Sequence, residues 1–104
     1  MPVQRSSGHV VMAFPQLISY TEGRDGYVVY QDEKGLMKLY FEFGGGDCVA
    51  IVHFPTAEEW AKIDQRTSAE RRPVMEWIAG ELLRTEMKGG SYLLKEDCIE
   101  FYGR

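Results

Sequence analysis

The clearest structural signal in the chain is an alternation of apolar and other side chains over residues 36–43. Large apolar side chains occupy every second position of this run, at Met37, Leu39, Phe41 and Phe43. Side chains two residues apart lie on the same face of a β-strand, so the pattern predicts a strand with one buried face. The opposite face carries Lys38, Tyr40 and Glu42 and is predicted to lie in water.

Further β-prone runs, separated by turn-forming residues, surround this strand. The first half of the chain contains five predicted strands in all, over residues 9–14, 17–21, 27–31, 36–43 and 48–54. The turn Asp32–Gly35, between the third and the fourth strand, has the length of a hairpin connection. Residues 48–54 are apolar on both faces, which favours a central position in the sheet.

Two capping boxes mark the starts of two predicted helices. In Thr56–Glu59 and again in Thr67–Glu70, the threonine hydroxyl and the glutamate can each accept a hydrogen bond from an otherwise unpaired backbone amide. The two helices are predicted over about residues 57–65 and 69–87. Lys88 and the glycines after it are typical of the end of the second helix.

The second helix has the more regular apolar pattern. A stripe of residues at the spacing of one helix face is predicted to pack on the sheet, namely Val74, Met75, Trp77, Ile78 and Leu82. Pro73 conflicts with a helix that begins near residue 68, because it lies too deep for the first turn. We expect either a kink at Pro73 or a regular helix that starts there.

The chain closes with a predicted hairpin, formed by strands over residues 91–95 and 98–102. The predicted order is therefore β-β-β-β-β-α-α-β-β, in which the pattern is weakest for the first one or two strands. An antiparallel sheet of about five to six strands, with both helices packed on one face, is an α+β fold. We expect a single domain over residues 1–104, with residues 1–8 as a loosely ordered N-terminal segment.

The composition is that of a water-soluble globular domain. Hydrophobic residues make up 44% and charged residues 27% of the chain, and the formal net charge is −4. This acidic balance offers no general attraction to a nucleic-acid backbone. The sequence has no apolar run near the roughly 18 residues that span a bilayer and no apolar leader for export. Together with only two cysteines, these features predict a cytoplasmic protein that binds neither nucleic acid nor membranes.

No residue pattern identifies a catalytic centre. The glycines at positions 44–46 lie between two predicted strands, which favours a hairpin tip over a phosphate-binding loop. Cys48 and His53 are five residues apart on one predicted strand and are expected on opposite faces. The cysteines and histidines also lack the spacing of a zinc site. We therefore expect no catalytic residue, no metal and no cofactor, and we favour a protein that is not an enzyme.

The exposed face of the predicted sheet carries tyrosines among charged side chains. Alternation places Tyr40 and Tyr102 on this face, and a third tyrosine, Tyr27 or Tyr30, joins them. Tyrosine beside charge is typical of protein interfaces, because the ring buries apolar area while the hydroxyl stays hydrated. Tyrosine is also a common strand residue without such a role. The candidate interface residues are Lys38, Tyr40, Glu42, Glu100 and Tyr102.

Two hypotheses of function follow from these patterns. The first is a non-catalytic protein–protein association module, which forms a homodimer or binds another protein through the open sheet face. The alternative is a small-molecule-binding domain or a minor enzyme with a pocket between the helices and the sheet. The side chains that would line such a pocket are Phe41, Phe43, Trp60 and Trp77. The same four aromatics also suit an ordinary core.

Both cysteines, Cys48 and Cys98, are predicted to be free thiols, because the expected compartment is reducing and the strands around them are apolar. Thiol counting after denaturation without reductant should find both groups. A mass lower by two hydrogens would reveal a disulfide and contradict the prediction.

Overall fold

The computed structural model describes residues 14–103, which form a six-stranded antiparallel sheet with the helices inserted before its last two strands. The strands are β1 (Gln16–Glu22), β2 (Asp25–Asp32), β3 (Gly35–Phe43), β4 (Cys48–His53), β5 (Ser91–Leu94) and β6 (Cys98–Tyr102). Their order across the sheet is β1-β2-β3-β4-β6-β5, so β6 lies between β4 and β5. The predicted α+β class is confirmed.

Four strands precede the helices in residues 14–103, where the sequence predicts five. The additional strand, over residues 9–14, lies outside the described residues apart from Phe14, and so does the segment 1–8. The ends of the other four strands fall within two residues of their predicted positions.

The first helix is much shorter than predicted. α1 (Ala57–Trp60) begins at the expected capping box, in which Thr56 and Glu59 each accept the other's backbone amide, at 3.2 and 2.9 Å. The amides of Lys62 and Ile63 bond three residues back rather than four, and Gln65 adopts a left-handed φ of 68°. The helix predicted over 57–65 therefore gives way to tighter turns after its first turn.

A single turn of 3-10 helix (Ser68–Glu70) precedes the long helix α2 (Arg71–Glu86) and removes the conflict at Pro73. Because α2 begins after this turn, Pro73 falls in its first turn, where a backbone amide has no intrahelical partner to lose. The helix predicted over 69–87 is thus present over Arg71–Glu86, and it begins two residues before the proline. Neither helix in residues 14–103 has the length and the apolar character needed to cross a membrane.

α2 packs its apolar stripe on one face of the sheet. Val74, Ile78 and Leu82 are buried, as the periodicity predicts. Trp77 is half-buried at the margin of the stripe, and its ring meets the Tyr30 ring edge-on with centroids 5.7 Å apart. Burial of these apolar surfaces is the main favourable contribution to folding. The largest buried side chains of the sheet are Val28, Tyr30, Met37, Leu39, Phe41, Val52, Ile99 and Phe101.

A buried ion pair fixes the segment between α1 and α2 to the β2–β3 hairpin. The Arg66 guanidinium donates to both carboxylate oxygens of Asp32, at 2.8 and 3.0 Å, and to the Gly35 carbonyl at 3.3 Å. Only 3% of the Arg66 side chain and 12% of the Asp32 side chain are exposed. Two parallel charge-assisted hydrogen bonds are strong and directional. They therefore determine where the helical segment meets the hairpin.

Polar contacts of two further side chains hold the same segment. Arg71 donates to the carbonyls of Pro55 and Glu96, at 2.9 and 2.6 Å. The Trp60 indole donates to the Thr67 carbonyl at 2.7 Å. The two Arg71 bonds satisfy backbone carbonyls outside the helices and strands, and the Thr67 carbonyl also accepts from the Glu70 amide at 3.0 Å. The connection between β4 and α2 is therefore ordered although little of it is regular helix.

A β-bulge in β4 changes the face that Cys48 occupies. Cys48 pairs with Tyr102 and His53 pairs with Cys98, and these two partners are four residues apart on β6 and share a face. The register shifts within β4, where Val49 is an additional residue. The expectation that Cys48 and His53 lie on opposite faces is therefore wrong, because the additional residue reverses the alternation.

Leu82→Ala should lower the free energy of unfolding by about 2–5 kcal/mol, because it leaves a cavity in the packed stripe. Leu82 is 4% exposed, whereas Leu36, the matched control, is 65% exposed. Urea denaturation of both alanine variants measures the difference, and the change for Leu36→Ala should stay within about 0.5 kcal/mol. An equally small change for Leu82→Ala would contradict the packing of α2.

Asp32→Asn should destabilise the protein at neutral pH by about 3 kcal/mol, because it leaves the buried Arg66 guanidinium without its counter-charge. The hydrogen bonds from Arg66 hold the pKa of Asp32 below its usual range. A carboxylate with a lowered folded-state pKa stabilises fully above the unfolded-state pKa of about 3.9. That contribution is lost as the pH falls through the folded-state pKa.

The acid side of the curve of stability against pH should therefore be flatter in Asp32→Asn than in the wild type. Urea denaturation at neutral pH and near pH 3 measures this slope. Glu58→Gln, at the exposed start of α1, is the control and should leave the slope close to that of the wild type. An acid slope unchanged by Asp32→Asn would contradict the role of the ion pair.

Candidate functional site

The sheet face turned away from α2, which we call the open face, carries all five candidate interface residues. They are Lys38, Tyr40, Glu42, Glu100 and Tyr102. Residues directly opposite each other in antiparallel strands share a face. Glu42 pairs with Ile51, and Ile51 pairs with Glu100, so the register connects β3 to β6 across the same face.

An aromatic row, formed by Tyr20, Tyr27, Tyr40 and His53, crosses the open face over β1 to β4. Tyr20 pairs with Tyr27, and Tyr27 pairs with Tyr40. The Tyr27 and Tyr40 rings meet edge to face with centroids 6.1 Å apart, and the His53 ring stacks on Tyr40 at 5.5 Å. The third tyrosine of the face is therefore Tyr27, whereas Tyr30 is buried on the side of α2.

An acidic row runs beside the aromatic row. Each of its members on β1 to β3 lies two residues along the strand from a tyrosine of the aromatic row, and the register extends the row to β6. The acidic row consists of Glu22, Asp25, Glu42 and Glu100. The open face thus combines a line of rings with a parallel line of carboxylates.

Hydrogen bonds join the two rows. The Tyr40 hydroxyl donates to Asp25 at 2.9 Å, and this bond raises the pKa of Tyr40 above its usual value. His53 Nε2 lies 2.9 Å from a carboxylate oxygen of Glu42. These bonds restrict the rotamers of the two side chains, so the central part of the open face is preorganised.

The far end of the acidic row is held in the same way. The Tyr102 hydroxyl donates to Glu100 at 2.5 Å, which raises the pKa of Tyr102 to about 12. Lys95 Nζ lies 3.7 Å from the other oxygen of Glu100. Both tyrosines of the candidate interface therefore keep their phenolic protons at neutral pH, and neither is activated as a nucleophile.

Aliphatic side chains and one lysine border the aromatic row on its other side. Ile18 pairs with Val29, and Val29 pairs with Lys38, so the three form a row of their own. Lys38 Nζ lies 4.0 Å from the centroid of the Tyr27 ring, within the range of a cation–π interaction. The open face therefore changes from aliphatic through aromatic to acidic along the strand direction.

The other groups of chemical interest are the two cysteines and the side chains of the types that bind metals. Burial and the neighbouring carboxylates of Asp97 and Glu100 raise the pKa of the Cys98 thiol, which disfavours the thiolate nucleophile. Cys98 and Cys48 are unpaired. In residues 14–103, no group of three or more His, Cys, Asp and Glu side chains is arranged to hold a metal ion.

A cavity of about 190 Å³ lies on the other side of the sheet, between β1 to β4 and the C-terminal end of α2. Phe41 and Phe43 line it, together with Leu82 from the helix. The other two predicted pocket residues lie elsewhere, Trp60 fully buried in the core and Trp77 half-buried at the margin of the stripe. The cavity is smaller than the roughly 300 Å³ at which ligand sites usually begin.

The sequence alone does not predict that three residues of the site lie on the open face. Tyr20, Asp25 and His53 lie near strand ends or in strands without a clean alternation, so their face follows only from the pairing register. The repeated spacing of a tyrosine two residues from a carboxylate is a signal that the sequence does contain. Only the alignment of the three strands shows that these tyrosines, and these carboxylates, are neighbours on one face.

Comparison of the chain with known protein families, with curated proteins and with solved structures finds no match. The open face is therefore interpreted from its own geometry and chemistry.

Proposed function

We propose that this protein is a non-catalytic association module that binds another protein through its open face. The aromatic row supports this most directly. Its three tyrosine side chains are 55%, 38% and 40% exposed and stand side by side on neighbouring strands. Contiguous exposed apolar area bordered by polar groups is typical of interaction surfaces.

The composition of the open face matches that of protein interfaces. Tyrosine is enriched at such interfaces, where it combines a large ring with a hydroxyl that finds a partner when buried. Hydrogen bonds already order Tyr40 and Tyr102, so binding loses less side-chain entropy at these positions. Six strands spaced about 4.8 Å apart give the face a width of about 24 Å, which is wide enough for one side of a standard interface.

A second copy of the chain is the other occupant that the sequence predicts. A homodimer through the open face would have two-fold symmetry, the commonest closed arrangement of soluble proteins. Light scattering on the purified protein distinguishes this homodimer from binding to a different protein.

Binding of a small molecule is a second candidate function, in which the cavity of about 190 Å³ lined by Phe41 and Phe43 would take only a compound smaller than most ligands. Its apolar lining favours a small apolar compound. The cavity and the open face are on opposite sides of the sheet, so substitutions on the open face should leave binding in the cavity unchanged.

Replacing both Tyr40 and Tyr102 by Lys should abolish association through the open face, because two rings are lost and two cations take their place where a partner would contact the face. The variant should still fold, because Tyr40 is 40% exposed and Tyr102 is half-buried on the open face rather than in the core. Crosslinking in cells followed by mass spectrometry identifies a partner, which is then purified. Calorimetry measures the Kd of this partner for the wild type and for the variant. Light scattering on each protein alone measures any dimer.

Tyr92→Lys is the matched control, because Tyr92 is 37% exposed and pairs with Phe101, which is buried on the side of α2. The control should bind as the wild type does. A folded double variant with unchanged affinity for the partner and unchanged dimer mass would refute the role of the open face. A double variant that does not fold would show that the two tyrosines belong to the core.

A further inference from the structure

A tyrosine and a carboxylate recur as a pair on three neighbouring strands of the open face. The pairs are Tyr20 with Glu22 on β1, Tyr27 with Asp25 on β2, and Tyr40 with Glu42 on β3. Alternate residues of a strand are about 7 Å apart. A ring and a carboxylate at this separation can contact one and the same side chain of a partner.

An arginine side chain fits such a pair better than any other. Its planar guanidinium stacks on an aromatic ring and donates two parallel hydrogen bonds to a carboxylate. The lysine ammonium carries the same charge but has neither the plane that stacks nor the fork of donors. Three pairs on adjacent strands therefore suit a partner with several arginines.

The aromatic row already contacts one cation of its own chain. Lys38 Nζ lies over the Tyr27 ring at 4.0 Å, a distance at which a cation and an aromatic ring attract each other. The Tyr20 and Tyr40 rings are 55% and 40% exposed. In residues 14–103, the cation–π contacts of the chain do not involve either of these two rings.

A shallow recess of about 450 Å³ ends the aromatic row beside α1. Tyr40 and His53 border it on the side of the sheet, and Pro55 and Ile63 border it on the side of the helix. The Glu59 side chain also lines the recess. A long cationic side chain that enters it meets an aromatic wall, aliphatic surface and a further carboxylate.

We propose that the partner of the open face is a basic protein surface whose arginine side chains stack on the aromatic row and pair with the acidic row. This inference rests on the proposed function, because it names the partner of the same face. The four carboxylates of the acidic row are accompanied by two lysines, Lys38 and Lys95, on or beside the face. A basic partner supplies the positive charge that the face lacks.

The same charges oppose a contact between two copies of the chain. A symmetric dimer through the open face brings two acidic rows into one interface, with twice as many carboxylates as lysines. Like charges in contact, and carboxylates buried without partners, cost free energy. A nucleic acid is disfavoured for the same reason, since its phosphates repel the acidic row.

A fluorescently labelled octapeptide of alternating arginine and serine is the probe that tests this partner class. Its lysine counterpart of equal charge is the comparison, and fluorescence anisotropy with the full chain gives both affinities. The arginine peptide should bind more tightly than the lysine peptide. Asp25→Asn combined with Glu42→Gln should weaken binding of the arginine peptide about tenfold, because two charges are lost while the shape of the face is kept.

Glu76→Gln combined with Glu81→Gln is the matched control, because it removes the same charge from α2. The control should bind the arginine peptide within about twofold of the wild type. If the control and the open-face variant weakened binding of the arginine peptide equally, the effect would come from net charge alone and the proposal would be overturned. Absence of binding, or equal affinity for the two peptides, would overturn it as well.

The outcome also separates this proposal from the proposed function. A wild-type dimer that Tyr40→Lys with Tyr102→Lys abolishes, together with no selectivity for arginine, would keep the association module and reject the basic partner. A wild-type monomer whose identified partner binds the double variant unchanged would reject both.

Discussion

One helix of 16 residues cannot bury both faces of a six-stranded sheet, and the rest of the structure depends on this geometric limit. At about 1.5 Å per residue, α2 is about 24 Å long, but a helix is only about 10 Å wide and covers only part of a six-stranded sheet. It buries one face of the inner strands, while most of β1 remains exposed on both faces. Most of the opposite face is open to water, although Cys98 on that face of β6 is only 9% exposed, and charged side chains lie there among apolar ones. On the open face, the apolar and charged side chains are arranged in three parallel rows, which are aliphatic, aromatic and acidic.

The connection between the sheet and α2 depends on polar rather than apolar contacts. Arg66 and Arg71 bond to a carboxylate and to three backbone carbonyls, so the chain there is held where regular structure ends. A buried ion pair adds little net stability over apolar side chains of similar size, but losing one partner is costly. The contribution of Arg66 and Asp32 is therefore mainly positional, since their fork geometry permits one arrangement of the segment on the hairpin.

Local patterns account for the parts of the fold that the sequence predicts. The alternation over residues 36–43 defines β3 and both of its faces, and the capping box of Thr56 marks the start of α1. The end of α1 is not predictable in this way, because a continued helix would be as compatible with the local sequence as the turns that replace it. Arg66 gives no local signal either, since its partner Asp32 is 34 residues away in the chain.

The candidate site, like the fold, is predictable from the sequence only where a local pattern defines it. Lys38, Tyr40 and Glu42 follow from alternation within one strand, whereas the rows that they belong to follow from the register of several strands. The bulge at Val49 illustrates the difficulty, because one additional residue reverses every face assignment on one side of it. A single sequence contains the members of the open face but not the alignment that makes them neighbours.

The central position of β6 has a consequence for the order in which the chain folds during synthesis. β4 is apolar on both faces and acquires its second neighbour only when β6, the last strand along the chain, reaches it. Until then β4 is an edge with unpaired backbone groups, the type of surface on which chains aggregate. The hairpins β1–β2 and β2–β3 pair residues close in the chain and can form early. We therefore expect the sheet to be completed only after β6 has been synthesised and can pair with β4, at a stage when α2 is already available to cover the core.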